Sequence, residues 1–162
     1  LEKVATNGLS ITYQLFYSFI KNHISMSAKF ESSIREIPYP QLAVYQMLSD
    51  LSNLEKVRDK IPEDKLKDLN FDADSVSINS PLGAVQLNII ERDAPKCIKF
   101  QTQQSPIPLT LWIQIVPVTA QSSKMKLTIQ AEVNMFMKGM IKKPLQEGIE
   151  KVADVLQMIH YE

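Results

Sequence analysis

The chain has 162 residues, 44% of them hydrophobic, and balances 18 basic against 18 acidic side chains around a single cysteine. That length suits one domain with a proper core, and zero net charge excludes an overall electrostatic footprint for nucleic acid or an anionic surface. The lone Cys97 excludes an intramolecular disulfide and fits a reducing compartment, so a cytoplasmic location is expected.

Residues 1–25 differ in character from the rest of the chain. Leu9, Ile11, Tyr13, Leu15, Phe16, Tyr17, Phe19 and Ile20 form an apolar cluster diluted by Thr12, Gln14 and Ser18. The cluster lacks a basic n-region, and it is too short and too interrupted for a stable membrane span. Residues 1–25 are read as an extension ahead of a native start at Met26, with a docking or dimerising segment and then a signal as alternatives. The remaining residues, 26–162, are read as one domain.

Ala28 to Pro38 alternates as a single strand ended by Pro38 and Pro40, with Arg35 on its outer face, away from Phe30. Leu42, Val44, Tyr45, Leu48, Leu51 and Leu54 recur at helical spacing, broken at Asp50–Asn53. Two short helices are expected, the second capped by Asn53 and stopped by Pro62. A helical turn over Lys65–Leu69 precedes a strand at Ser75–Asn79. Pro81 and Gly83 then turn the chain into strands at Ala84–Arg92, Lys96–Gln103, Leu109–Val116 and Lys124–Asn134, separated by Asp93–Pro95, Ser105–Pro108 and Pro117–Ser123. In the last strand Met125, Leu127, Ile129, Ala131 and Val133 alternate with polar partners. Consecutive strands on short turns imply an antiparallel meander.

From Met137 to Glu162 the period changes. Ile141, Leu145, Gly148, Ile149, Val152, Leu156 and Ile159 stack on one helical face, opposite Lys143, Glu147, Glu150, Lys151, Asp154 and Gln157. Pro144 fits best in the first turn of that helix; were the helix to begin nearer Met137, Pro144 would kink it. A long amphipathic helix after a run of strands predicts an α+β fold with the helix laid across one face of the sheet.

The order of strand, two short helices, meander strands and long C-terminal helix resembles the START/polyketide cyclase-like superfamily (SRPBCC, helix-grip, Bet v 1-like). The resemblance rests on the first strand with its proline turn, the segment Leu48–Ser49–Asp50–Leu51–Ser52–Asn53–Leu54, the GAVQLNIIERDAP strand and turn, and the final helix. It covers residues 26–162 and implies a curved sheet of six or seven strands wrapped around the last helix. It also implies a cavity between them that takes a hydrophobic or amphipathic small molecule, a lipid included.

Catalytic chemistry is sparse in the residues. His23 and His160 are the only histidines, neither in a predicted strand, so no metal site and no His-based nucleophile is expected. Cys97 has no basic partner beside it and reads as an inert small residue. Asp72 and Asp74 read as a solvated pair, and Glu91, Arg92 and Asp93 as an exposed strand end. The four glycines form no phosphate-binding loop, so no cofactor is expected, and Lys142–Lys143 with Lys124 and Lys126 make too little basic surface for nucleic acid. What remains is an apolar lining: Leu87, Phe100, Leu111, Ile113, Leu127 and Ile129 of the sheet facing Ile141, Leu145, Ile149 and Val152 of the helix. A core filled at normal density is the alternative use of the same residues. Met135, Met137 and Met140, at the entry to the helix, suit a pocket mouth or a gap filler. Trp112, on the outer sheet face, would fit an interface, a homodimer being the usual reason for it.

The function expected on these grounds is binding, with transport or sequestration, of a hydrophobic small molecule. The rivals are a cyclase or dehydratase in the same cavity, lacking an acid–base group that the residues identify, and an interaction module using the outer sheet face over a closed core. Tyr39 and Tyr45 are the aromatic hydroxyls nearest the early helix, and packing accounts for both.

Overall fold

A computed structural model describes residues 10–19, 25–61, 63–80, 83–105 and 107–162. The expectations for residues 1–9, for Ile20 to Ile24, and for Pro62, Pro81 and Pro106 fall outside that description. Residues 10–19 form a helix, α1, and its Ile11, Tyr13, Leu15, Phe16, Tyr17 and Phe19 are all exposed.

Next come β1 (Ser25–Glu31), β2 (Arg35–Ile37), α2 (Gln41–Leu48), a 3-10 segment (Leu51–Lys60), α3 (Glu63–Leu66), β3 (Asn70–Phe71) and β4 (Ser75–Ser80). The chain continues through β5 (Gly83–Asp93), β6 (Cys97–Gln104), β7 (Leu109–Pro117) and β8 (Ser123–Asn134) to α4 (Met135–Gln157). The sheet is antiparallel, with strand order β1-β8-β7-β6-β5-β4-β3 and β2 also paired to β8. Gly83 takes φ 111° at the β4–β5 turn, a value that needs glycine.

Pairing stacks the alternating apolar residues into rows across the inner face. Ile89, Phe100, Leu111, Ile129 and Phe30 form one row, and Ile98, Ile113 and Leu127 the next. α4 lies over β1, β2 and β8, and α2 over β6 and β7. Two apolar clusters result. The larger joins Ile98, Ile113 and Leu127 to Val44, Tyr45 and Leu48 of α2 and to Ile149, Ala153 and Leu156 of α4. The smaller joins Ala28, Phe30, Leu109, Ala131 and Val133 to Ile141 and Leu145, and Ile129 packs on both. Each large apolar side chain so buried contributes ~1.5–3 kcal/mol before the entropy of ordering it.

Several expectations are corrected. The first strand is two, because Ser32 interrupts it. Its backbone N–H donates to the Leu127 carbonyl (2.9 Å), and its hydroxyl accepts from the Leu127 N–H (2.9 Å). The break resets the alternation, so Arg35 faces α4 rather than solvent. The second short helix is the 3-10 segment. Asp50 caps it, accepting from the Ser52 N–H at 3.0 Å, while the Asn53 amide donates to the Met47 carbonyl. The helical turn before β4 lies at Glu63–Leu66, and the two-residue β3 follows it.

α4 begins at Met135, where the Asn134 side chain accepts from the Met137 N–H at 2.8 Å. Pro144 therefore lies inside the helix, and the sequence lost its start because Asn134 belongs equally to the strand alternation. Val152 is 46% exposed, and wholly buried Ala153 occupies the inward position. The inward series runs Ile141, Leu145, Ile149, Ala153, Leu156; hydrophobicity alone favoured Val over Ala.

Candidate functional site

The inner face of the sheet beneath α4 is the place where the fold could hold a ligand, and its residues come from five elements. Phe100, Ile113, Leu127 and Ile149 are buried in the larger cluster. Ile141 and Leu145 are buried in the smaller one, and Leu87, Leu111 and Ile129 are only partly buried against the larger. Val152, grouped with them by sequence, is 46% exposed and belongs to neither cluster.

The partial burial of Leu87, Leu111 and Ile129 is informative because none of them lies on an edge strand. β5, β7 and β8 each have partners on both sides. Their remaining exposure is therefore on a face of the sheet and not at its edge. The polar group on this floor is Thr102, paired across from Leu87, and its hydroxyl is already engaged, accepting from the Leu109 N–H at 3.0 Å. The floor offers hydrocarbon.

At the rim, α4 is fastened to the break between β1 and β2. Glu150 accepts from the Ser33 N–H (2.7 Å) and the Ser33 hydroxyl (3.1 Å) and pairs with Arg35, which also reaches Asp154 at 2.8 Å. The Ser33 N–H, before the Arg35 charge, holds the Glu150 carboxyl below its ordinary value despite partial desolvation. At the far end of the helix Tyr161 is buried, its hydroxyl donating to the Leu156 carbonyl at 2.6 Å. Burial pushes that phenol's pKa up. Tyr39 Oη lies 3.0 Å from His160 Nδ1, on the exposed side of this packing.

Other sequence candidates disperse. Asp72 closes a turn by accepting from the Asp74 and Ser75 N–H groups, and Asp74 pairs with Arg92 instead of standing free beside Asp72. Burial, then Asp93 and Glu91, push the Cys97 thiol up, which suits a quiet residue. Among the described residues no three His, Cys, Asp or Glu side chains converge as a metal site would require. Trp112 lies on the outer face, in a shallow depression of about 370 Å³ with Lys29, Glu31, Gln114 and Lys126, and the Lys99 ammonium sits 5.5 Å from its ring centre. A second depression, about 210 Å³, is lined by α3–β3 loop residues and by β4 and β5. Neither lies under α4.

Sequence reasoning missed the Ser33–Arg35–Glu150–Asp154 fastening. Ser33 and Glu150 are 117 residues apart, so no local pattern could have paired them. The break at Ser32 carries no glycine or proline to announce it.

The architecture has solved counterparts. Norcoclaurine synthase from Thalictrum flavum superposes with a TM-score of 0.70 at 13% identity, over 85% of this chain and 88% of that one. A START superfamily protein from Mycobacterium smegmatis gives 0.56 at 13% identity, over 82% and 94%. A protein from Thermus thermophilus gives 0.55 at 14% identity, over 80% and 94%. The chain has the START-like helix-grip fold. No protein-family model and no curated protein matches the sequence. At these identities the likeness speaks for the grip architecture, which the sheet order and α4 display independently. Among the described residues no helix is long and apolar enough to cross a membrane.

Proposed function

We propose that this helix-grip domain binds a hydrophobic or amphipathic small molecule on the floor formed by Leu87, Leu111 and Ile129, between the sheet and its helical covers. The observation that supports the reading is the incomplete burial of those three side chains on interior strands. Apolar ligand surface placed there would gain ~25 cal/mol per Å² before the cost of association. Norcoclaurine synthase, which shares the fold, has been seen in complex with dopamine and hydroxybenzaldehyde, small molecules with an apolar ring and polar groups. The binding reading is preferred to an enzymatic one because the floor is hydrocarbon and its hydroxyl, Thr102, is already bonded to the backbone.

The test is native mass spectrometry of the purified protein, followed by organic extraction and a titration with a hydrophobic fluorescent probe. A stoichiometric apolar passenger, or probe binding that Leu111→Trp abolishes while the fold persists, supports the proposal. Empty protein with no probe binding, or probe binding indifferent to Leu111→Trp, overturns it.

A further inference from the structure

The first two turns of α4 carry large apolar side chains that nothing in the described chain covers. Phe136 is 81% exposed, Met140 77% and Met135 64%, whereas Ile141, the next residue along, is buried in the smaller cluster. Phe136 and Met140 are four residues apart and so share one helical face. Lys138, Lys142 and Lys143 are interleaved with them, all exposed. Lys138 and Lys142 have no ion-pair partner among the described residues, and Lys143 reaches Glu147 only at 3.8 Å. No acidic residue occurs between Val133 and Gln146. In a chain of zero net charge this is a local concentration of positive charge around an apolar tip.

A second exposed apolar element is tethered at the same end. Ser25, the first residue of β1, pairs with Asn134, the residue immediately before α4. The links from Phe19, the last described residue of α1, to Ser25 reach at most about 20 Å. α1 carries Tyr13, Phe16, Tyr17 and Phe19 without a charged side chain. Aromatic side chains with polar tips favour the boundary between water and hydrocarbon.

We propose that the end of the domain where α4 begins docks on an anionic lipid surface. Phe136, Met140 and Met135 enter the headgroup–acyl boundary, while Lys138, Lys142 and Lys143 meet lipid phosphates. Apolar wedges ringed by lysines match that interface, because burial of hydrocarbon and attraction to anionic headgroups add. A second copy of the chain fits the patch less well. A two-fold contact sets each patch against itself and brings two lysine clusters together. The inference stands whether or not the floor under α4 holds a ligand.

The experiment is co-sedimentation of the full chain with vesicles of phosphatidylcholine alone and with about 30% phosphatidylglycerol. It is run for the unaltered protein, for Phe136→Ser/Met140→Ser and for Lys138→Gln/Lys142→Gln, each checked for an unchanged melting curve. The expected result is binding to the anionic vesicles and little to the neutral ones. Each lysine removed should weaken it about fivefold, the loss of Phe136 and Met140 at least about tenfold, and rising salt should release the protein. Binding that persists in the double apolar variant would assign docking to α1 alone and overturn the proposal. So would equal binding to both vesicle types, or a dimer in sedimentation velocity that the apolar variant dissolves while vesicles bind nothing.

Discussion

Arg35 is the residue through which the fastening of α4 can be measured. Its side chain is 17% exposed, Glu150 33% and Asp154 58%. Arg35→Met keeps the hydrocarbon stem and removes the guanidinium, leaving Glu150 with only its two Ser33 bonds. An exposed ion pair contributes ~0–1 kcal/mol, and breaking a buried one costs ~3–5 kcal/mol. This one is screened on the Glu150 and Asp154 side yet shielded around Arg35, so the expected loss is ~1–2 kcal/mol. Glu150→Gln retains an acceptor for the Ser33 N–H and should cost about 1 kcal/mol, and the two changes should couple by ~0.5–1.5 kcal/mol in a double-mutant cycle. Urea denaturation at neutral pH, with unchanged slope, gives all four values. The acid limb gives a second reading. The folded-state pKa of Glu150 is depressed, so its stabilisation is fully present above its ordinary value of 4.5 and is lost as pH falls through the lower folded value. The gap between the unaltered protein and Glu150→Gln should therefore close below that range. Glu31, Asp50 and Asp72 are also depressed, but they are common to both proteins and cancel in the difference. Coupling below about 0.3 kcal/mol, together with superimposable acid limbs, would show that Arg35 and Glu150 do not act together.

Three further outcomes rest on the packing. Ile149→Ala should cost ~2–5 kcal/mol in urea denaturation and Val152→Ala under about 0.5 kcal/mol; the reverse order would place the wrong face of α4 inward. Cys97 should react with a thiol-specific chromogenic disulfide more slowly than free cysteine at mildly alkaline pH, because a raised pKa leaves less thiolate; a faster reaction would contradict its placement. We also propose Met26 as the start of the folding unit. A chain beginning there gives up α1 and the Ser25–Asn134 rung of β1 and should melt within a few degrees of the full chain, whereas failure to fold would make residues 1–25 part of the domain.

The sequence by itself determined the sheet and its central covering. Strict alternation from Met125 to Val133 places every second side chain inward, and the change of period beyond Asn134 requires a helix with an apolar face. These signals are local, a few residues wide, and the inner rows around Phe100, Ile113 and Leu127 arise from them once the strands pair in order.

Tertiary structure decided what local patterns could not carry. Ser32 turns one strand into two because its backbone and hydroxyl both find Leu127, and that break brings Arg35 to face α4. Glu150 has a strand-side partner only because α4 crosses β1 and β2. Ala153 rather than Val152 is buried because of what packs against α4, since about 100° per residue sets the two on either flank of the same apolar face. Exposure was equally illegible: an apolar residue reads the same whether it is covered, as Ile141 is, or left bare, as Phe136 is. Burial belongs to the pairing of distant surfaces, and a one-dimensional pattern specifies which face is apolar without specifying what comes to cover it.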